Sequence, residues 1–379
     1  MSTGKQLPKI GVLGGGQLGR MMIQSAINYN LEIHVMDPDA NAPCKDIATT
    51  FTQGAINDYQ QVYDFGKGFD FVTIEIENVN TSALKQLQQE GVKVFPQPEI
   101  IELIQDKRVQ KKFYEENGIH TSPFILTENA ADVKANAEFL PAVNKLGKEG
   151  YDGRGVSVLK SEADLDKAFD APGLLEKFVD FEKELAVIVA RNASGEIRSF
   201  PVVELSFHPV HNLVEYLFSP AAITKEIEEK AQKVAQDVIE KLGLVGLLAV
   251  ELFLTKEGEI LVNEVAPRTH NSGHQTIEGN ITSQFEQHLR AILDWPLGDT
   301  GIRIPSAMVN LLGEDGYTGE AQYDGMKDIL AMDGAHIHLY GKKLTKPFRK
   351  MGHITIVDDN MEELKKKAKL VKSKLKVIA

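Results

Sequence analysis

The sequence predicts a mixed α/β and α+β protein of three units: residues 1–102, 103–298 and 299–379. Three observations predict it. Short apolar runs alternate with helical patterns over the first hundred residues, which implies a parallel sheet with helices on its faces. The middle of the chain carries hairpin signals and one long amphipathic segment. After Trp295-Pro296 the segments become short and β-rich, with a single closing helix.

In the first unit, residues 8–16 read as a buried strand running into glycines, and 17–30 as a helix. Strands are expected at 31–36, 71–75 and 92–95, with a helix at 81–89. In the second, a helix at 106–118 closes on Asn117-Gly118, a C-terminal stop. Short strands follow near 124–126, 142–144, 156–159 and 174–177, and residues 184–191 and 197–203 alternate like a hairpin. A helix spans about 224–242, a hairpin 246–265 and a helix 283–293. In the third unit only residues 361–375 read as helical.

Composition narrows the function. Of 379 residues 42% are hydrophobic and the formal net charge is −12. That balance disfavours non-specific binding to nucleic acid or anionic membranes. The single cysteine, Cys44, excludes an internal disulfide and a cysteine metal cluster. The N-terminus is polar, and no run approaches the ~20 apolar residues of a membrane span. A cytoplasmic protein is expected, with no nucleic-acid or membrane partner.

Gly14, Gly16 and Gly19 spell G-x-G-x-x-G between a strand and a helix, and Asp37 ends the next strand. This is the dinucleotide fingerprint of a Rossmann-like unit, with phosphate at a helix N-terminus and an acid for ribose. Read alone it suggests an NAD-linked oxidoreductase.

Two acids point elsewhere. Glu251 and Glu264 each interrupt an apolar strand, LVGLLAVELFL at 244–254 and EILVNEV at 259–265. A two-residue loop at Glu257-Gly258 would set them directly opposite one another. Like charges so placed repel, so the pair calls for a cation. Carboxylates plus substrate phosphates are how magnesium is usually held. Arg268 offers a fork for an anion. His270 and His274 have helical metal-pair spacing, but Pro267 and Gly273 favour a loop. A second glycine loop, Gly150-Tyr151-Asp152-Gly153-Arg154-Gly155, follows Lys145, and backbone amides of such a loop can wrap phosphate.

Lys145, GYDGRG at 150–155, EKFV at 176–179, Glu184, Glu251 and NEVAPRTHNSGH at 263–274 occur in this order. Together with GGGQLGRM at 14–21, E-x-E-N at 75–78 and RKMGH at 349–353, they resemble the ATP-grasp superfamily. Within it they are similar to the ribonucleotide carboxylases of purine biosynthesis. The resemblance implies an ATP-grasp architecture with a Rossmann-like pre-ATP-grasp unit in front and a small β-rich unit behind. It implies an ATP-dependent carbon–nitrogen ligase that carboxylates 5-aminoimidazole ribonucleotide with bicarbonate through carboxyphosphate.

The resemblance also assigns residues. Lys107, Lys145, Gly150, Tyr151, Asp152, Gly153, Arg154, Gly155, Val156, Glu176, Lys177, Phe178, Val179, Glu184, His208, Asn263 and Glu264 would contact ATP. Glu251 and Glu264 would hold magnesium, with manganese as an alternative. Arg268, His270, Asn271 and Tyr151 would serve the chemistry. Gln17, Leu18, Glu75, Asp152, Arg154, Ser272, Lys343, Arg349 and Lys350 would meet the ribonucleotide, and the glycine turn would face its phosphate side. A homodimer is implied. The chain departs from the family at Lys107, commonly Arg, at Asn144, commonly aliphatic, and at 201–213, which lacks the family's asparagine–x–histidine spelling: either His208 takes that histidine's place or nothing does. A formate-dependent glycinamide ribonucleotide transformylase is the alternative within the ligases, and a non-catalytic nucleotide sensor the alternative outside catalysis.

Overall fold

The computed structural model describes residues 7–148, 150, 155–207 and 214–379. Tyr151, Asp152, Gly153, Arg154 and His208 lie outside the described residues.

Five parallel strands build the first sheet: β1 (Lys9–Leu13), β2 (Glu32–Asp37), β3 (Thr50–Gln53), β4 (Phe71–Ile74) and β5 (Lys93–Val94). Their order is β3-β2-β1-β4-β5, with β1 central. Ile10, Val12 and Leu13 are fully buried, as a strand covered on both faces requires. Helix α1 (Gln17–Ile27) starts one residue past Gly16 and buries Leu18, Met21, Met22 and Ala26. Sequence reading missed β3, α2 (Tyr59–Gly66) and α4 (Pro98–Gln105). Strand β3 has no buried residue, so it carries no hydrophobic signal.

Beyond α3 (Thr81–Gln89) and α5 (Lys107–Glu116), a small antiparallel sheet has the order β6-β9-β7-β8. Its strands are β6 (Phe124–Thr127), β7 (Ala142–Leu146), β8 (Val156–Leu159) and β9 (Gly173–Lys177). Asn144, which replaces an aliphatic residue of the resemblance, is 1% exposed. Its amide donates to Leu174 O at 3.1 Å and accepts from Phe169 N at 2.8 Å, so it ties β7 to β9 and to the chain entering it.

The large sheet comprises β10 (Phe181–Arg191), β11 (Ile197–Ser199), β12 (Val203–Phe207), β13 (Val214–Ser219), β14 (Gly246–Thr255), β15 (Ile260–Ala266) and β16 (Ser306–Leu312), then the strands Lys350–Val357 and Ala335–Leu339. Residues 197–203 are not one strand. Pro201, without an N–H, separates β11 from β12, which pair with different parts of β10. Because β13 pairs with β16, the sheet runs on past residue 298 into the C-terminal region.

The helix Lys225–Leu242 begins at Thr224, whose hydroxyl accepts from Ile227 N, and ends at left-handed Gly243. Its Ala231, Ala235, Val238 and Ile239 pack on Leu185, Val187, Leu248, Val250 and Leu252. That consumes one face of β10 and β14. The alternate residues face the other way, and among them are Glu184 and Glu251. This face opens toward the small sheet, and the candidate site lies between the two sheets.

Candidate active site

The hairpin places Glu251 opposite Glu264, though not by the expected turn. Thr255 N donates to Glu259 O at 2.9 Å, so the loop has three residues, Lys256–Gly258, with Gly258 at φ +80°. Such a loop offsets the strands by one: Leu252 pairs with Val262 and Leu254 with Ile260. A bulge at Asn263 then restores the alignment before the acids are reached. The bulge has a second effect. Asn263 and Glu264, though consecutive, are both only partly buried, while Val262 and Val265 are buried.

Cations from two other elements meet these acids. Lys107, the first residue of α5, donates to Glu264 Oε2 at 3.0 Å. Lys145 on β7 donates to Asn263 Oδ1 at 3.1 Å and pairs with Glu176 Oε2 at 3.0 Å. Glu176 on β9 is 3% exposed and also pairs with Lys111 at 3.2 Å. Lys111 is 1% exposed, and its ammonium also meets Thr121 Oγ1, which donates to Val262 O. The motif reading missed Lys111. Its apolar flank on α5 is indistinguishable in sequence from any half-buried helical lysine.

Charge is unevenly distributed over the carboxylates. Lys107, aided by Lys145, holds Glu264 well below the usual carboxylate range although burial opposes it. Glu251 moves the other way: burial raises it, and Glu264 and Glu184 raise it further. Burial and Glu264 push Glu184 up to about 7. Burial would raise Glu176 too, but Lys145 and Lys111 override it and hold it down. Facing carboxylates of which one is forced toward its neutral form are what a bound divalent cation would relieve. Among the described residues no group of three or more His, Cys, Asp or Glu is arranged to hold a metal. The two facing carboxylates suit a cation whose remaining ligands are phosphate oxygens and water.

The loop after β15 turns back over this pair. His270 Nδ1 accepts from Ser272 N and lies 2.9 Å from Ser272 Oγ. Its ring proton is thereby placed on Nε2, which faces Glu251 Oε1 at 3.8 Å. Arg268 pairs with Glu77 Oε1 at 2.9 Å. The Asn271 and Asn310 amides bond reciprocally at 2.9 and 3.0 Å, so Asn271 anchors the loop to β16. His274 does not pair with His270 on a metal. It is 1% exposed, bonded to Gln284, stacked with Phe285 and tilted against His353.

Other assigned residues have the following surroundings. Lys177 Nζ donates to Phe139 O and Leu140 O, so its ammonium serves the small sheet. Phe178 is exposed, and its amide donates to Pro141 O. Val156 pairs with Lys145, and Gly155 O accepts from Leu146 N, which fixes the near end of the second glycine loop. Lys343 is exposed, and Arg349 donates to Leu344 O. Lys350 O accepts from Lys342, and the charge of Lys350 helps depress His274 after burial and His270.

The N-terminal glycine turn is filled from within. Glu75 Oε1 accepts from Gly16 N at 2.7 Å and Oε2 from Gly19 N at 2.9 Å. Asp37 Oδ2 accepts from Gly15 N at 2.7 Å. An internal carboxylate thus sits where a dinucleotide would place its pyrophosphate, and Asp37 is spent on the turn rather than on a ribose. Leu18 is a core residue; Gln17, beside it, is partly buried.

Family models match in succession: a ribonucleotide synthetase preATP-grasp domain over residues 7–105, an ATP-grasp domain over 112–285 and a phosphoribosylaminoimidazole carboxylase C-terminal domain over 306–367. The crystal structure of N5-carboxyaminoimidazole ribonucleotide synthetase from Thermotoga maritima is 43% identical, covers 98% of this chain and 100% of its own, and superposes with a TM-score of 0.91. The chain belongs to the N5-carboxyaminoimidazole ribonucleotide synthase family of ATP-grasp ligases. Another member of that family, the Aspergillus clavatus N5-carboxyaminoimidazole synthase in complex with ADP and 5-aminoimidazole ribonucleotide, is 34% identical over 97% of this chain and 98% of its own, with a TM-score of 0.89. The chloroplastic phosphoribosylaminoimidazole carboxylase of Vigna aconitifolia is 41% identical over 94% of this chain, and the chain spans 65% of that relative's length. No helix of the described residues is long and apolar enough to cross a membrane.

Proposed function

We propose that this chain uses ATP to carboxylate the exocyclic amine of 5-aminoimidazole ribonucleotide with bicarbonate, giving N5-carboxyaminoimidazole ribonucleotide, ADP and phosphate. The observation that carries the reading is the facing Glu251–Glu264 pair, set beside Lys107 and Lys145 in the cleft between the two sheets. The family's ADP and ribonucleotide complex supports the same substrates.

The chemistry follows in two transfers. A bicarbonate oxygen takes the γ-phosphoryl group, forming carboxyphosphate and releasing ADP. The amine nitrogen then attacks the carboxyl carbon, the carbon–oxygen bond to phosphate breaks, and phosphate leaves with the electron pair while the amine loses a proton. Lys107 and Lys145 hold the nucleotide phosphates, Lys107 exchanging Glu264 and Lys145 exchanging the Asn263 amide for phosphate oxygens. Glu251 and Glu264 would hold magnesium or manganese, which supplies charge neutralisation at the β- and γ-phosphates. Arg268 and His270 stabilise the carboxyphosphate, and Asn271 keeps their loop seated against β16. Glu176, bridging Lys145 and Lys111, fixes the angle from which Lys145 approaches. Excluding water would protect the labile intermediate. A homodimer is the assembly that the resemblance implies.

The test is ADP release with 5-aminoimidazole ribonucleotide present and bicarbonate varied. Bicarbonate-dependent release is expected in wild type, with loss of at least ~100-fold in Glu264→Gln, in line with the cost of removing one electrostatic stabiliser. Release that needs glycinamide ribonucleotide and formate instead would overturn the assignment. Wild-type turnover by Glu264→Gln would remove Glu264 from the cation site.

A further inference from the structure

The segment Glu75-Ile76-Glu77 leaves β4 and points its two acids to different places. Glu75 closes the glycine turn of its own unit. Glu77 crosses to the next unit and pairs with Arg268 Nη2 at 2.9 Å. Both side chains of that pair are largely shielded, at 25% and 18% exposure. The segment itself is firmly held. Gln105 donates to the carbonyls of Glu77 and Val79, and Val79 N donates to Glu77 O. Glu77 is also close enough to Lys107 to help raise its pKa, after Glu264 and Glu176.

Arg268 itself hangs from a loop. It lies four residues past Glu264 on the stretch between β15 and the short turn Asn271–Gly273. A guanidinium on such a stretch has several rotamers, and ordering it against an anion costs side-chain entropy of up to ~2 kcal/mol. A carboxylate reaching in from a rigid neighbouring strand end removes much of that freedom in advance. A 1 Å misplacement at such a site can cost ~10²-fold in rate.

We propose that Glu77 is a positioning residue, supplied by the N-terminal unit, that pre-orders the Arg268 guanidinium for the phosphoryl and carboxyl chemistry of the adjoining unit. This rests on the role assigned to Arg268 above. The ion pair ties the Arg268 guanidinium, which also donates to Thr269 O at 3.0 Å, to the position of the N-terminal unit.

The test is a double-mutant cycle on kcat and KM, measured by ADP release with 5-aminoimidazole ribonucleotide and bicarbonate. Glu77→Ala is expected to lower kcat by 10- to 100-fold, with the KM for ATP changed less than threefold. Glu77→Gln, which keeps a neutral acceptor and serves if the alanine variant folds poorly, should lose less. In an Arg268→Met background, Glu77→Ala should cause no further loss. A full additional loss there, or a wild-type kcat for Glu77→Ala, would overturn the proposal while leaving Arg268 in its role. A wild-type rate for Arg268→Met would instead sink the assignment of Arg268, and this inference with it.

Discussion

Glu176→Gln should destabilise the fold strongly before it is ever asked to bind nucleotide. Glu176 is 3% exposed and lies 3.0 and 3.2 Å from the ammoniums of Lys145 and Lys111. Lys111 is 1% exposed, and burial already pushes it down to about 8 despite the carboxylate beside it. Removing that carboxylate leaves two buried cations and a neutral amide between them. Breaking a buried ion pair from one side typically costs ~3–5 kcal/mol. The loss should therefore be about 4 kcal/mol, read from urea unfolding by far-UV circular dichroism at pH 7.5. Adding Lys111→Met should recover part of it, since removing both charges leaves no uncompensated ion at that end of the triad. A loss below ~1 kcal/mol for the single variant, or a double variant no more stable than the single, would refute the argument.

Gly16→Ala places a Cβ 2.4 Å from Glu75 Oε1, which drives the carboxylate off the amides of Gly16 and Gly19. Charge-assisted hydrogen bonds contribute ~1.5–3 kcal/mol each, so a loss of ~2–4 kcal/mol is expected, seen as a lower thermal midpoint. Asn144→Val strands Phe169 N and Leu174 O, and should cost ~1–3 kcal/mol by the same measurement. Acid should weaken the fold through buried histidines. Burial pushes His288 down to about 4, against ~6.5 in the unfolded chain. The unfolded chain thus takes the proton first, so this contribution is complete above pH ~6.5 and is lost as pH falls toward 4, amounting to ~2 kcal/mol at pH 5. His274 and His353 are depressed too and act in the same direction. Unfolding free energies of His288→Gln at pH 7 and pH 5 should differ by less than those of wild type.

The parallel sheet was legible because its central strand, β1, is an apolar run leading into glycines and its neighbours β2 and β4 are mostly apolar. Elements without a hydrophobic signal, such as β3, were not. The glycine turn was legible as geometry and misleading as chemistry. Its spacing gives the tight turn and the helix start, but nothing in the spacing says which anion the amides meet. That anion is Glu75, 59 residues beyond Gly16, and only the parallel pairing of β1 with β4 brings it there. Lys111 was invisible for a related reason, since its carboxylate partner lies 65 residues away on β9. Short-range patterns record periodicity and turns; the partners of buried charges are set by the topology.

The acid pair shows how a sequence argument can reach a true contact through the wrong geometry. A two-residue turn would align Glu251 with Glu264 and bury neither Asn263 nor its neighbour differently from any strand residue. The three-residue loop and the Asn263 bulge reach the same alignment by two offsets that cancel. The difference matters for function. In a regular strand Asn263 would point away from Glu264 toward the helix-covered face. With the bulge, its amide meets Lys145 while Glu264 still meets Lys107. One irregularity therefore sets an amide and a carboxylate side by side, each engaging a lysine from a different element. The bulge is the feature that turns two strand acids into a site able to exchange lysine partners for the phosphates of a nucleotide.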